Sequence, residues 1–222
     1  MGRGFTLLEM LVVVVVLSIL LAISVPMFTS MTSPRKSAAV SLKASMEAAR
    51  ALAMREGRDV YVAFTDDTPR ESENCYSHWA MFLPDETDLN PNPETRELVA
   101  ASGWERLPDG VVFALGEDFE VPSGVPLNTV LEAPVRREFP FSLEGGEKEL
   151  PFLMFNEEGR IQYPQFYDTQ FHYLGIVEGM YEKGSGRTMR GMRSGVETGG
   201  EYPQADCLHV NLYTGRVRLI TE

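Results

Sequence analysis

Histidine and cysteine are scarce in this chain, at three and two among 222 residues. No Cys-x-x-Cys pair and no Cys/His cluster occurs, so a zinc site is not expected. There is no Gly-x-Ser-x-Gly, no P-loop and no Ser/His/Asp grouping in motif context. His78, His172 and His209 are separated by long stretches and sit in strand-like sequence, where each reads as a partly buried sheet residue rather than a catalyst. These absences lead us to expect no catalytic residues, no metal and no cofactor. Basic residues are also in deficit, 20 against 32 acidic ones, for a net charge of −12. That balance argues against a general nucleic-acid-binding surface, though it leaves room for a local basic patch.

What the chain does have is one long apolar run at its start. Phe5 to Pro26 is interrupted by a single acid, Glu9, and Met10 to Val25 contains only Ser18 and Ser24 as polar residues. A helix over Phe5–Pro26 would rise roughly 33 Å, enough to cross a hydrocarbon core of about 30 Å. A carboxylate in such a segment costs a few kcal/mol unless paired, so Glu9 is a functional candidate. Three readings of the segment compete. A cleaved signal peptide would use Arg3 as its basic region and Ala22-Ile23-Ser24 as its cleavage site, but its apolar core should lack an acid. A plain signal anchor explains the length but not Glu9.

The third reading rests on a resemblance. Gly4-Phe5-Thr6-Leu7-Leu8-Glu9 resembles the leader junction of type IV pilins and type II secretion pseudopilins. The resemblance implies that prepilin peptidase cuts between Gly4 and Phe5 and that Phe5 is then N-methylated. It also implies that Glu9 serves subunit assembly and that Pro26 is the helix-kinking proline. The physics runs in parallel. Cleavage creates an α-amine on Phe5 one helical turn from Glu9, and in a membrane each charge needs a partner. Staggered neighbouring helices would supply it, one subunit's carboxylate meeting the next subunit's amine.

The rest of the chain reads as one further domain. A polar break from Thr29 precedes an amphipathic helix over Pro34–Glu56, with Ser33 as N-cap and Gly57 as its terminator. Leu42, Met46, Ala49 and Ala53 recur at helical spacing. The period then changes to two. Val60, Val62 and Phe64 alternate with Tyr61 and Ala63 as in a half-buried strand. Further strands are expected at 78–83, 98–101, 111–115, 152–155, 160–163, 171–178, 207–213 and 216–220, with hairpin turns at Asn156–Gly159 and Tyr213–Gly215.

The expected class is α+β: a long N-terminal helix, half transmembrane and half amphipathic, packed on a mostly antiparallel β-rich domain. The segments are a leader at 1–4, an assembly helix at 5–28, an amphipathic helix at 29–57 and a β-rich periplasmic domain at 58–222.

Two further stretches narrow the resemblance. Ala48 to Val60 resembles the helix-to-strand motif of H-type minor pseudopilins and FimT-like minor pilins, and Val210 to Arg218 resembles their last hairpin. The implied function is that of a structural subunit of a type II secretion pseudopilus. Its implied partners are prepilin peptidase, other pseudopilins or pilins and the inner-membrane assembly platform. The implied location is a single inner-membrane pass with a periplasmic domain, built into a filament. A minor pilin of a type IV pilus, acting in priming, adhesion or DNA uptake, is the alternative. A membrane-anchored envelope enzyme or binding protein is the alternative of another class.

Three features stay open. Cys75 and Cys207 could form a disulfide or remain buried thiols, and spacing does not decide. Pro84–Asn90 carries three acids but lacks the glycine and ligand spacing of an EF-hand, so it reads as a solvated turn. Gly179–Gly200 holds seven glycines and reads as a flexible loop. Its Lys183, Arg187, Arg190 and Arg193 offer a local anion or nucleic-acid contact, offset by Glu178, Glu182, Glu197 and Glu201.

Overall fold

The computed structural model describes residues 33–88, 96–115, 130–133, 135–164, 171–182, 186–189 and 205–221, together with Leu11 and Val13. Residues 1–33 and 34–222 form two separate units. Leu11 and Val13 are helical and exposed. The expected membrane helix otherwise lies outside the described residues. Among those described, no helix is long and apolar enough to cross a membrane.

The second unit opens with helix α1, Pro34–Glu56. Both of its ends follow from sequence. Pro34 occupies the first turn, where a missing N–H costs nothing. Gly57 takes a left-handed φ of +64°, and the N–H groups of Gly57 and Arg58 both donate to the Ala53 carbonyl. The buried face is Arg35, Ala38, Ala39, Leu42, Met46, Ala49 and Ala53. Its alanines allow close approach, and the helix contacts strands of both sheets described below.

Among the described residues twelve strands follow, and every pairing between them is antiparallel. They are β1 Val60–Phe64, β2 His78–Pro84, β3 Leu98–Ala100, β4 Glu105–Arg106, β5 Val111–Ala114 and β6 Arg136–Pro140. Then come β7 Glu147–Phe155, β8 Ile161–Tyr163, β9 Phe171–Glu182, β10 Gly186–Met189, β11 Ala205–Asn211 and β12 Val217–Thr221. One sheet runs β3-β2-β1-β7-β6, with β4 on β2 and β8 on β7. The other runs β10-β9-β11-β12, with β5 also on β9. The α+β class and the mostly antiparallel β-rich domain are thus observed.

Several expectations need correction. β1 is buried on both faces, not one. Val60, Val62 and Phe64 face the core shared with α1 and the second sheet, where Phe64 meets Phe113 edge-on at 5.7 Å. Tyr61 and Ala63 face a separate aromatic core with Phe82, Phe139, Phe141, Leu150 and Phe152. That second core exists because β7 is longer than expected. Its 152–155 half pairs with β1 and its 147–151 half pairs with β6, a strand the apolar pattern did not reveal. Part of the glycine-rich stretch read as a loop is a hairpin, because β9 continues to Glu182 and pairs with β10.

The first sheet curls until its edge strands β3 and β6 approach one another. No backbone ladder joins them among the described residues. Side chains clasp the seam instead. Trp104 Nε1 donates to the Pro140 carbonyl at 3.3 Å, and Arg137 donates to the Arg96 carbonyl. Arg137 also lies 4.6 Å over the Tyr61 ring, a cation–π contact that keeps its charge partnered though it is buried.

Candidate assembly surfaces

The outward face of α1 differs from an ordinary solvated helix. Ser37, Val40, Ser41, Ala44, Ala48, Ala51 and Met54 are exposed, and no charged residue falls in the exposed class between Lys36 and Arg55. Val40 is 58% exposed and Met54 43%. Lys43, Glu47 and Arg50 stand at the flanks, half-buried. A helix that stays in water normally presents Lys and Glu there. A smooth face of small residues instead permits close approach by another helix.

The two stretches that resemble H-type subunits meet in space. Arg50 Nε–H is shared between the carbonyls of Thr214, at 2.8 Å, and Gly159, at 3.2 Å. It therefore grips the β11–β12 turn and the β7–β8 turn together. One turn earlier, the Glu47 carboxylate accepts the Val217 N–H at 2.8 Å. The two turns touch: a Cβ placed on Gly215 would collide with the Gly159 carbonyl oxygen, and one on Gly159 would press on Met54. Both glycines also have positive φ, +62° and +73°. The residues behind the resemblance thus hold helix and hairpins in register.

At the other end of α1, Arg35 Nε donates to Asp206 Oδ2 at 2.7 Å, with the side chains 8% and 0% exposed. This buried ion pair fixes the first turn of the helix to the start of β11. Sequence reasoning missed it, because a lone arginine after a proline carries no periodic signal. A second polar tie holds the β6–β7 hairpin. Glu144 accepts the N–H groups of Arg70 (2.9 Å) and Glu71 (3.0 Å), the Asn74 amide (3.1 Å) and the Lys148 ammonium (3.3 Å). Burial alone would raise its pKa, but these donors outweigh it and hold the carboxyl at about 2.

The remaining candidates can now be placed. Gly4, Phe5, Glu9 and Pro26 lie outside the described residues. Cys75 and Cys207 are both buried and are not bonded to one another; the Cys75 sulfur lies 3.5 Å from the carbonyls of Pro69 and Glu71. The three histidines occupy β2, β9 and β11. Burial lowers the pKa of each, to about 4 for His172, whose Nε2 lies 2.6 Å from the Pro164 carbonyl. That carbonyl can only accept, so Nε2 carries the proton. The His209 ring rests against Phe171 and Tyr173 at 3.8 and 5.0 Å. In the acidic turn, Asp85 accepts from the Thr87 N–H and hydroxyl, and Asp88 accepts the Glu97 N–H. Among the described residues, no three His, Cys, Asp or Glu side chains group as a metal site.

Residues 2–25 match the family model described as the prokaryotic N-terminal methylation motif. No curated protein and no solved structure gives a match to the chain. The motif implies cleavage by a prepilin peptidase, membrane anchoring and assembly with other pilins into a filament. Residues 2–25 thus carry the leader motif of type IV pilin-like proteins.

Proposed function

We propose that the protein is a minor pseudopilin of the H type, a structural subunit of a type II secretion pseudopilus in the periplasm. The observation that carries the filament role beyond the leader is the uncharged outward face of α1, from Ser37 to Met54. It lies on the helix next in sequence after the apolar segment, beyond the polar break from Thr29, and offers a neighbouring helix a smooth surface. The subfamily rests on the Arg50 grip and the hairpin it holds. The protein acts as a part rather than a catalyst. Its N-terminal helix packs with those of its neighbours, its domain faces outward, and the inner-membrane platform adds subunits from below.

Glu9 supplies the switch. Before cleavage the α-amine at Phe5 does not exist, and afterwards it can pair with a neighbour's Glu9. The test is to isolate the mature chain and sequence its N-terminus, which should begin at methylated Phe5. Glu9→Ala should process normally yet drop out of filaments. An uncut N-terminus would instead favour an anchored enzyme or binding protein, and normal incorporation of the Glu9 variant would sink the pairing mechanism. The Val210–Arg218 hairpin equally suits a type IV pilus minor pilin. Cross-links in the intact envelope decide, to other pseudopilins for secretion or to pilus subunits for the alternative.

A further inference from the structure

The seam between β3 and β6 is a cleft of about 540 Å³ lined by four carboxylates, Glu97, Glu138, Glu147 and Glu149, and three arginines, Arg96, Arg136 and Arg137. Glu138 and Glu149 are direct cross-strand partners. Like charges placed so are destabilising. The cations there have other partners, and Arg96 acts on the Asp59 carboxyl. Arg136 pairs with Asp66, Arg137 with the Arg96 carbonyl and the Tyr61 ring, and Lys148 with Glu144. None of the four cleft glutamates is ion-paired among the described residues.

The same chain carries the opposite arrangement on its other sheet. β12 is an edge strand, and Arg216, just before it, and Arg218 within it are both exposed and without an ion pair among the described residues. They stand two residues apart, about 6.7 Å along an extended chain, as do Glu147 and Glu149.

We propose that the acidic seam of one subunit receives the basic edge strand β12 of a second copy of this chain. Arg216 and Arg218 then face Glu147 and Glu149, and Glu138 shares in the compensation. The two patches are different surfaces of one molecule, so the contact is head-to-tail. It rests on the filament reading, and names the contact that outer domains would make there. Exposed ion pairs are individually weak. This contact therefore works at the effective concentration that membrane-held neighbours provide.

The test uses the full chain in its membrane. One tagged copy carries Glu149→Cys and a differently tagged copy carries Arg218→Cys; the native cysteines are buried. Oxidation should give the mixed dimer at least fivefold above a control with Arg160→Cys in place of Glu149→Cys. Adding Glu138→Arg and Glu147→Arg to the acidic copy, or Arg216→Glu to the basic copy, should lower the yield at least fivefold. Pairing both reversed copies should restore it to within twofold. Protease resistance of each copy checks the fold, which the acidic-side reversals should not harm.

A yield at the control level, or one indifferent to the reversals, overturns the proposal, as does cross-linking only to a different envelope protein. Glu9-dependent incorporation into filaments without this cross-link would remove the contact and leave the filament reading standing. A charge-dependent cross-link in a chain whose leader is never cut would do the reverse.

Discussion

Glu144 offers the sharpest quantitative test, because its carboxylate has four donors and little else to hold it. Replacing it with glutamine removes the charge and keeps the shape. Its folded pKa of about 2 against an ordinary 4.5 corresponds to about 3 kcal/mol at 1.36 kcal/mol per pH unit. The side chain is only 7% exposed, but Leu143, Gly145, Arg70 and Glu71 around it are exposed, so solvent screening reduces this to about 1–2 kcal/mol. The pKa is depressed on folding, so the contribution is complete above pH 4.5 and is lost as the pH falls toward 2. Urea unfolding of a fragment from Thr29 onward should show Glu144→Gln less stable by about 1–2 kcal/mol at pH 7. The gap should shrink steadily below pH 4.5. A gap of equal size at pH 7 and pH 2.5, or none at pH 7, would refute the reasoning.

Arg50→Ala should cost about 1.5–3 kcal/mol in the same assay, since one charged donor holds two turn carbonyls. Gly215→Ala should cost more than about 2 kcal/mol, combining left-handed strain with collision against the Gly159 carbonyl. Gly57→Ala, at a similar φ but in open space, should cost only about 1 kcal/mol; equal losses would refute the turn-to-turn contact. Folded His172 resists protonation down to about pH 4, whereas an unfolded histidine binds its proton near 6.5. Stability should therefore fall as pH drops from 6.5 toward 4, and His172→Phe should flatten that part of the wild-type profile.

Much of the fold was legible where one physical signal dominated. α1 announces itself by Pro34, Gly57 and a repeating apolar face, and its observed span is the expected Pro34–Glu56. The two hairpin turns announce themselves by glycines that need positive φ. β6 was illegible because its Arg136-Arg137-Glu138 reads as a solvated stretch. In the fold, Arg137 is buried by stacking on Tyr61, a partner 76 positions away that no local pattern reveals. The second face of β1 was missed for the same reason: Tyr61 and Ala63 look like the wet side of a strand until β6 and β7 bring Phe139 and Phe152 against them. The leader is the opposite case. The methylation motif over residues 2–25 is legible from sequence, because its meaning lies in processing and assembly rather than in packing within one chain.

The Arg50 grip has a mechanical consequence. An axial load entering α1 would reach the second sheet at two points, the Arg35–Asp206 pair near the start of the helix and the Arg50 clasp near its end. With both points held, the helix slides against the sheet only if the two fastenings and the packed face between them yield together, which is shear. A helix fastened at one end could instead be peeled away contact by contact, at much lower force. A domain fastened in this way can be loaded along α1 and stay folded.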